Sequence, residues 1–283
     1  MDIQRQFPSG GGISFVYEVH PRIVVKVPKP REFEREQFQK ELEIYQVFSQ
    51  NPPCPSIIYS GIFLEYIRDI SLSSRIQKNH TRDQQTIVVT TVEKLEPLHL
   101  RKQWMNDLAQ AVAFLESVNL AHSDLRPKNV LLDRNRLKLS DFDCTAKIGT
   151  NYEAYMAPYG RILNNNESDQ GECGTPSFLS PRTEQFALGS LYYLMNYSFE
   201  VYGDRCLTED PYEHGPKVVD LLQNIEFPKL DSNPLIDNII DKYLAAHTKT
   251  LLNERTDVKE SNENRKKESS EVTTLVIPIF NER

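Results

Sequence analysis

Hydrophobic and polar positions fall into two regimes along the chain. Up to about residue 67, apolar residues are branched or aromatic and come in short runs. The runs at 13–19 and 23–27, separated by His20 and Pro21, read as strands. In the charged segment 31–48, Phe38, Leu42, Tyr45 and Phe48 recur at three and four residues. That spacing predicts one apolar face of a helix, which the proline-rich stretch 51–55 stops. Residues 56–67 read as two short strands around Gly61, and the first third as a whole as five strands and one helix.

Beyond residue 67 the pattern turns helical. Trp104, Leu108, Ala111, Val112 and Leu115 share one face of a helix over 101–118. Two short strands are expected at 130–132 and 137–139, then a long loop over 143–180, then helices at 185–195 and 236–252. From 253 to 271 Glu, Lys, Arg, Ser and Asn dominate without one aromatic residue, the composition of a solvated, disordered tail. The apolar end, 272–280, reads as a frayed segment docking loosely, with a partner-binding strand as the alternative.

Composition narrows the function classes. Forty acidic against 33 basic side chains give the 283-residue chain a formal charge of −7. That argues against a nucleic-acid partner, because neutralising phosphates needs a basic face. No stretch is long and apolar enough to span a membrane, and the N-terminal residues lack the apolar core of a signal peptide. Cys54, Cys144, Cys173 and Cys206 form no CxxC pair, so free thiols in a reducing compartment are expected rather than disulfides or a zinc site. Cytoplasm, or nucleus, follows.

Four segments carry candidate chemistry. Ser9, Gly10, Gly11 and Gly12 precede a strand, where backbone N–H groups can cradle phosphates or simply form a flexible hairpin. Lys26 interrupts an apolar strand and needs a carboxylate such as Glu41 on the next helix, unless it snorkels from an edge strand. His122-Ser123-Asp124-Leu125-Arg126-Pro127-Lys128-Asn129 follows the 101–118 helix, and Asp141-Phe142-Asp143 follows the second short strand. An Asp and an Asn five apart, with another Asp twelve beyond, suit a general base and hard-cation ligands.

The order of these segments resembles the eukaryotic protein kinase family over residues 1–252, most of all its divergent fungal members. HSDLRPKN resembles the catalytic loop, SDFD the metal-binding segment, FLEYI the last strand and hinge, and TEQFALGSLYY the buried helix of the large lobe. The resemblance implies an α+β, bilobal fold. A small β-rich lobe covers about 1–67, a larger mainly helical lobe about 68–252, and 253–283 forms a disordered polar tail. It further implies an ATP- and Mg²⁺-dependent transfer of phosphate to a Ser/Thr hydroxyl of a protein. Asp124 would orient the attacking hydroxyl, Arg126 would stand near the γ-phosphate, and Asn129 and Asp141 would hold magnesium. Lys26, paired with Glu41, would contact the α- and β-phosphates. Ser9, Gly10, Gly11, Gly12, Ser14 and Val16 would cover the nucleotide. Adenine would meet the backbone of Glu65–Ile67 behind Leu64.

The chain departs from the family pattern in several places. Reading Ser9, Gly11 and Ser14 as the three small loop positions sets Val16 over adenine. Ser123 replaces the arginine before the catalytic aspartate, so phosphomimetic changes at Thr145, Thr150 or Thr175 are not expected to raise activity. Asp143 replaces a glycine, as an added metal ligand or a repulsive charge. The usual APE motif and its partner arginine are both missing, and Glu184 takes the place of an aspartate. These departures give weight to an alternative, a pseudokinase-type binding module that binds ATP with little or no transfer. A small-molecule kinase is the third reading.

Overall fold

Branched residues on alternating faces of 14–28 fold as the pattern predicts. In the computed structural model, which describes residues 5–6, 12–49, 57–58, 61–68, 70–152, 157–161 and 177–245, they are strands β2 (Ser14–His20) and β3 (Ile23–Pro28). With β1 (Arg5–Gln6), β4 (Ile57–Ile58) and β5 (Gly61–Glu65) they make one antiparallel sheet of order β1-β2-β3-β5-β4. Helix α1 (Glu32–Ser49) buries Phe38, Tyr45 and Phe48, three of the four residues that define its apolar face.

The chain divides into two compact units. The first holds the described residues up to Ile70 together with Ser140–Thr145; the second holds Ser71–Leu139 and the described residues from Ala146 onward. In the first unit the 3₁₀ turn Phe142–Cys144 is anchored by Phe142. Its ring meets Tyr45 and Phe48 edge-on, with centroids 5.6 and 5.0 Å away.

The second unit is built on helices α2 (Leu72–Gln77), α3 (Leu98–Ser117), α4 (Pro181–Tyr197), α5 (His214–Gln223) and α6 (Pro234–Leu244). Its strands pair in twos: β6 (His80–Arg82) with β7 (Val89–Val92), and β9 (Val130–Asp133) with β10 (Arg136–Leu139). Likewise β8 (Leu120–Ala121) pairs with β11 (Ala146–Lys147), and β12 (Asn151–Tyr152) with β13 (Ser177–Phe178). The core joins α3, α4 and α6, and Trp104, Leu188, Leu191, Ile236 and Ile240 are sealed inside it. Gly189 lets α4 and α6 touch: a Cβ there would lie 2.8 Å from the Leu244 backbone nitrogen. Asp107 on α3 fastens the β9–β10 hairpin, accepting from the Arg136 guanidinium (2.7 Å) and the Leu137 N–H (3.0 Å).

Several elements differ from the sequence expectation. Helix α4 begins at Pro181, four residues before the apolar run, because Ser180 and Thr183 form a reciprocal capping box ahead of it. The expected loop over 143–180 contains β11, β12 and β13 among its described residues. Helix α6 is described only to Leu244, so the rest of the expected 236–252 helix and the 253–283 tail lie outside the described residues. No helix among the described residues is long and apolar enough to cross a membrane.

Candidate functional site

The candidate residues form two sets, one in each unit. In the first unit, strand β3 is central to the sheet, with β2 on one side and β5 on the other, so Lys26 does not snorkel from an edge. Its side chain is 6% exposed, and its Nζ lies 2.8 and 2.7 Å from the two carboxylate oxygens of Glu41. The same ammonium donates to Asp141 Oδ1 at 2.8 Å. Glu41 is fully enclosed, while the Asp141 side chain remains 28% exposed. Asp141 is therefore the member of the trio open to an incoming ligand.

One ammonium thus balances two carboxylates, with a third nearby. Burial opposes the charge on Lys26, but Glu41 and Asp141 outweigh it and hold its pKa above the ordinary lysine value. Burial pushes Glu41 up against the pull of Lys26, and the charges of Asp141 and Asp143 add to the rise. Asp143 is raised as well, first by burial and then by Asp141. Asp141 itself has left-handed backbone, φ 64°, a conformation that costs a non-glycine residue about 1–3 kcal/mol and persists where the surroundings enforce it. Here the enforcing contacts are the Phe142 anchor on one side and the Lys26 ammonium on the other.

At the nucleotide-binding positions, Ser9, Gly10 and Gly11 lie outside the described residues. Gly12 is exposed, and its carbonyl accepts from Lys29 Nζ at 2.8 Å. Ser14 is completely buried, and its hydroxyl has no hydrogen-bond partner among the described residues. Val16 lies opposite Lys26 across the β2–β3 pair. At the end of β5, the Tyr66 N–H donates to Arg22 C=O (2.9 Å), which makes that opposed pair the hydrogen-bonded kind. Pairs alternate along an antiparallel ladder, so the adjacent Ile23–Glu65 pair is not bonded and Glu65 turns its backbone N–H and C=O away from β3. Ile67 follows in the half-buried segment beyond the strand.

In the second unit, the loop between β8 and β9 carries the other set. Glu184, in the first turn of α4, is buried and accepts from the N–H groups of His122 (2.8 Å) and Ser123 (3.1 Å). Burial raises its pKa to about 7, against the pull of those two N–H donors. Ser123 takes a left-handed backbone (φ 66°), and the next N–H, that of Asp124, donates back to His122 Nδ1 at 3.3 Å. The resulting bend presents the Asp124 carboxylate. Asn129 Nδ2 donates to its Oδ2 (2.8 Å) and to its backbone C=O (3.0 Å), and Arg126 pairs with Oδ2 at 2.8 Å. His122 is fully buried, and the sequence gives it no role beyond its place in the loop motif; its signal is its position immediately after the apolar Leu120 and Ala121.

Of the threonines considered as loop phosphorylation positions, Thr145 is buried, Thr150 is exposed and Thr175 lies outside the described residues.

The chain has recognisable relatives. A family model described as protein kinase domain matches residues 23–189, more than half of the chain. A protein of Acanthamoeba polyphaga mimivirus, R436, whose name assigns it provisionally to the serine/threonine-protein kinases, is 24% identical over 244 residues, covering 78% of each chain. The human phosphorylase b kinase gamma catalytic chain, liver/testis isoform, is 28% identical over 158 residues, 54% of this chain and 33% of that one. The serine/threonine-protein kinase PKH3 of Saccharomyces cerevisiae is 26% identical over 159 residues, 48% of this chain and 17% of that one.

Proposed function

The chain belongs to the protein kinase domain family, and from that premise we propose that it transfers the γ-phosphate of ATP, with Mg²⁺, to a Ser/Thr hydroxyl of a protein. The observation that carries this reading is the bonding of Lys26 to both Glu41 and Asp141. A lysine so held is a fixed, fully protonated cation, suited to the α- and β-phosphates, and its partner Asp141 keeps an exposed side chain. Phosphoryl transfer asks the protein mainly for positioning and charge neutralisation.

The remaining roles follow from the family resemblance. By the kinase resemblance, Asp141 and Asn129 would each offer an oxygen to magnesium, which takes one or two protein oxygens and completes its shell with phosphate and water oxygens. In Asn129 the amide nitrogen is committed to Asp124, so its oxygen is the atom suited to a cation. When bound, the metal offsets phosphate charge. Asp124, oriented by Asn129 and Arg126, accepts a hydrogen bond from the substrate hydroxyl and takes up its proton as the new P–O bond forms and the bond from the γ-phosphorus to the bridging oxygen breaks, releasing ADP. Arg126, held beside Asp124, places positive charge where the γ-phosphate arrives. Ser14 and Val16, with Gly12 and the preceding Ser9, Gly10 and Gly11, cover the nucleotide, and Glu65 and Ile67 offer backbone groups to adenine.

Asp143 favours a second reading. A raised, half-buried carboxylate beside Asp141 adds negative charge where phosphates must come, as in a module that binds nucleotide and transfers little. Incubation with Mg-ATP and generic serine and threonine substrates, beside Asp124→Asn, separates the two. Turnover lost in the variant supports transfer. No turnover by either protein, with a thermal shift on ATP, supports the binding module, and no shift at all sinks nucleotide binding.

A further inference from the structure

Within the second unit, beside Asp124, lies a cavity of about 280 Å³. It is lined by α2 through Ser73 and Gln77, by the catalytic-loop residues Arg126 and Lys128, and by Tyr159 and Glu200.

The three carboxylates around this cavity each already hold a donor. Glu200 takes a charged hydrogen bond from Arg82 at 2.6 Å. Asp124 is held by Arg126 and Asn129, and Glu184 by two backbone N–H groups. Two buried side-chain groups at the cavity remain without a partner, and both can donate. The Tyr159 hydroxyl and Arg126 Nε are buried and have no hydrogen-bond partner among the described residues. Burial, reinforced by the charge of Glu200, keeps the Tyr159 pKa well above the ordinary tyrosine value, so it stays an O–H donor. Lys128, a basic side chain, is exposed at the cavity wall. Buried donors without acceptors are costly, and a ligand that supplies acceptors recovers that cost.

We infer that this cavity receives an anionic side chain of the peptide substrate, a carboxylate or a phosphate, so that acceptor hydroxyls in acidic surroundings are preferred. The inference rests on the kinase reading above and names its substrate class. Lys128 supplies the long-range attraction, and Tyr159 and Arg126 supply directional hydrogen bonds.

The test uses the full chain with Mg-ATP and decapeptides carrying a single acceptor serine. The acceptor is flanked by glutamates, by phosphoserines, by alanines or by arginines. A charge-assisted hydrogen bond contributes about 1.5–3 kcal/mol, so kcat/KM for the glutamate or phosphoserine peptide should exceed that for alanine by roughly 10- to 100-fold. The two arms tell a carboxylate from a phosphate, and a preference in either supports the inference. Lys128→Glu should bring the ratio of kcat/KM for the glutamate peptide to that for the alanine peptide down to about one, whatever its effect on the alanine peptide; Tyr159→Phe should reduce that ratio in part. Equal rates on all four peptides, or a preference for arginine, overturns the inference and leaves the kinase reading standing. If no peptide turns over, fluorescence anisotropy of a labelled glutamate peptide decides. Binding abolished by Lys128→Glu upholds the cavity assignment while the kinase reading fails, and no binding overturns it.

Discussion

Around Lys26 the candidate residues are held by opposite charges; around Asp124 they are held largely by hydrogen bonds to main-chain groups. The first arrangement gathers one ammonium and three carboxylates inside a sheet-based unit, so its geometry depends on charge balance. The second threads a loop over the start of α4, where Glu184 takes two backbone N–H groups and Asn129 ties both ends of the loop together. Charge clusters are sensitive to neutralisation and to incoming ions. A loop fastened through its backbone is sensitive to the helix beneath it and tolerant of side-chain change, which is how Ser123 can stand where the family pattern has arginine.

The comparison can be broken from either side. The largest effect is expected from Asp124→Asn, which keeps the loop's shape and removes the proton acceptor. General acid–base groups contribute about 10²–10⁴-fold, so phosphotransfer should fall by that factor while the melting temperature holds; an equal fall in both would mean the residue is structural. Next is Lys26→Met. Removing one partner of a buried ion pair costs about 3–5 kcal/mol, and denaturant unfolding should show that loss. An unchanged midpoint would mean that the carboxylates simply take up protons. Glu41→Gln and Asp141→Asn should then relieve part of the loss, since the excess charge is theirs.

A pH titration sharpens the contrast in the second unit. Glu184 has a folded pKa of about 7 against an ordinary value of 4.5, so between those values the folded state holds a proton that the unfolded state has lost. Its contribution is fully present below about pH 4.5 and is lost as pH rises towards 7, at about 1.4 kcal/mol per unit, a drop on the order of 3 kcal/mol. Glu184→Gln should flatten that slope; an unaltered slope assigns it to other groups. Gly189→Ala drives a methyl against the α6 backbone and should cost about 1–3 kcal/mol as overpacking, read in the thermal midpoint. The smallest change is Ser180→Ala. Losing the α4 cap should cost about 1 kcal/mol, and a matching weakening of amide-exchange protection at His122 and Ser123 would show that the loop leans on that helix end.

Much of this was legible in the sequence, and for a physical reason. Lys26 stands out because an ammonium in a branched run demands a partner, and the phase of Phe38, Leu42, Tyr45 and Phe48 fixes which face of α1 is buried. The kinase-like order of segments singles out Asp124, Asn129 and Asp141 as candidates without any coordinates. What was not legible depends on contacts distant in sequence or on short, polar elements. The bond from Lys26 to Asp141 joins residues 115 apart and requires a left-handed backbone that no spacing announces. The apolar pattern predicts no element between residues 68 and 100, yet α2, β6 and β7 lie there. The hairpin's exposed Thr81, Thr90 and Thr91 give little apolar alternation, and its tip turns through Ile87 with φ 62°. Helix α5 escaped notice because only Val218 and Leu222 are buried along its ten residues.

The membership of residues 140–145 in the first unit has a consequence for synthesis. A chain emerging from the ribosome carries the sheet and α1 complete by Ile70, but Phe142 and Asp141 arrive only after some seventy more residues. Until then Tyr45 and Phe48 lack their third ring, and Lys26 has one carboxylate instead of two. The first unit is therefore a discontinuous piece of chain. A single proteolytic cut near Ile70 would release it without its clasp, and a fragment ending there should be rescued by adding a peptide that spans 140–145. Order of translation and order of completion differ in this protein: the part made first is the part finished late.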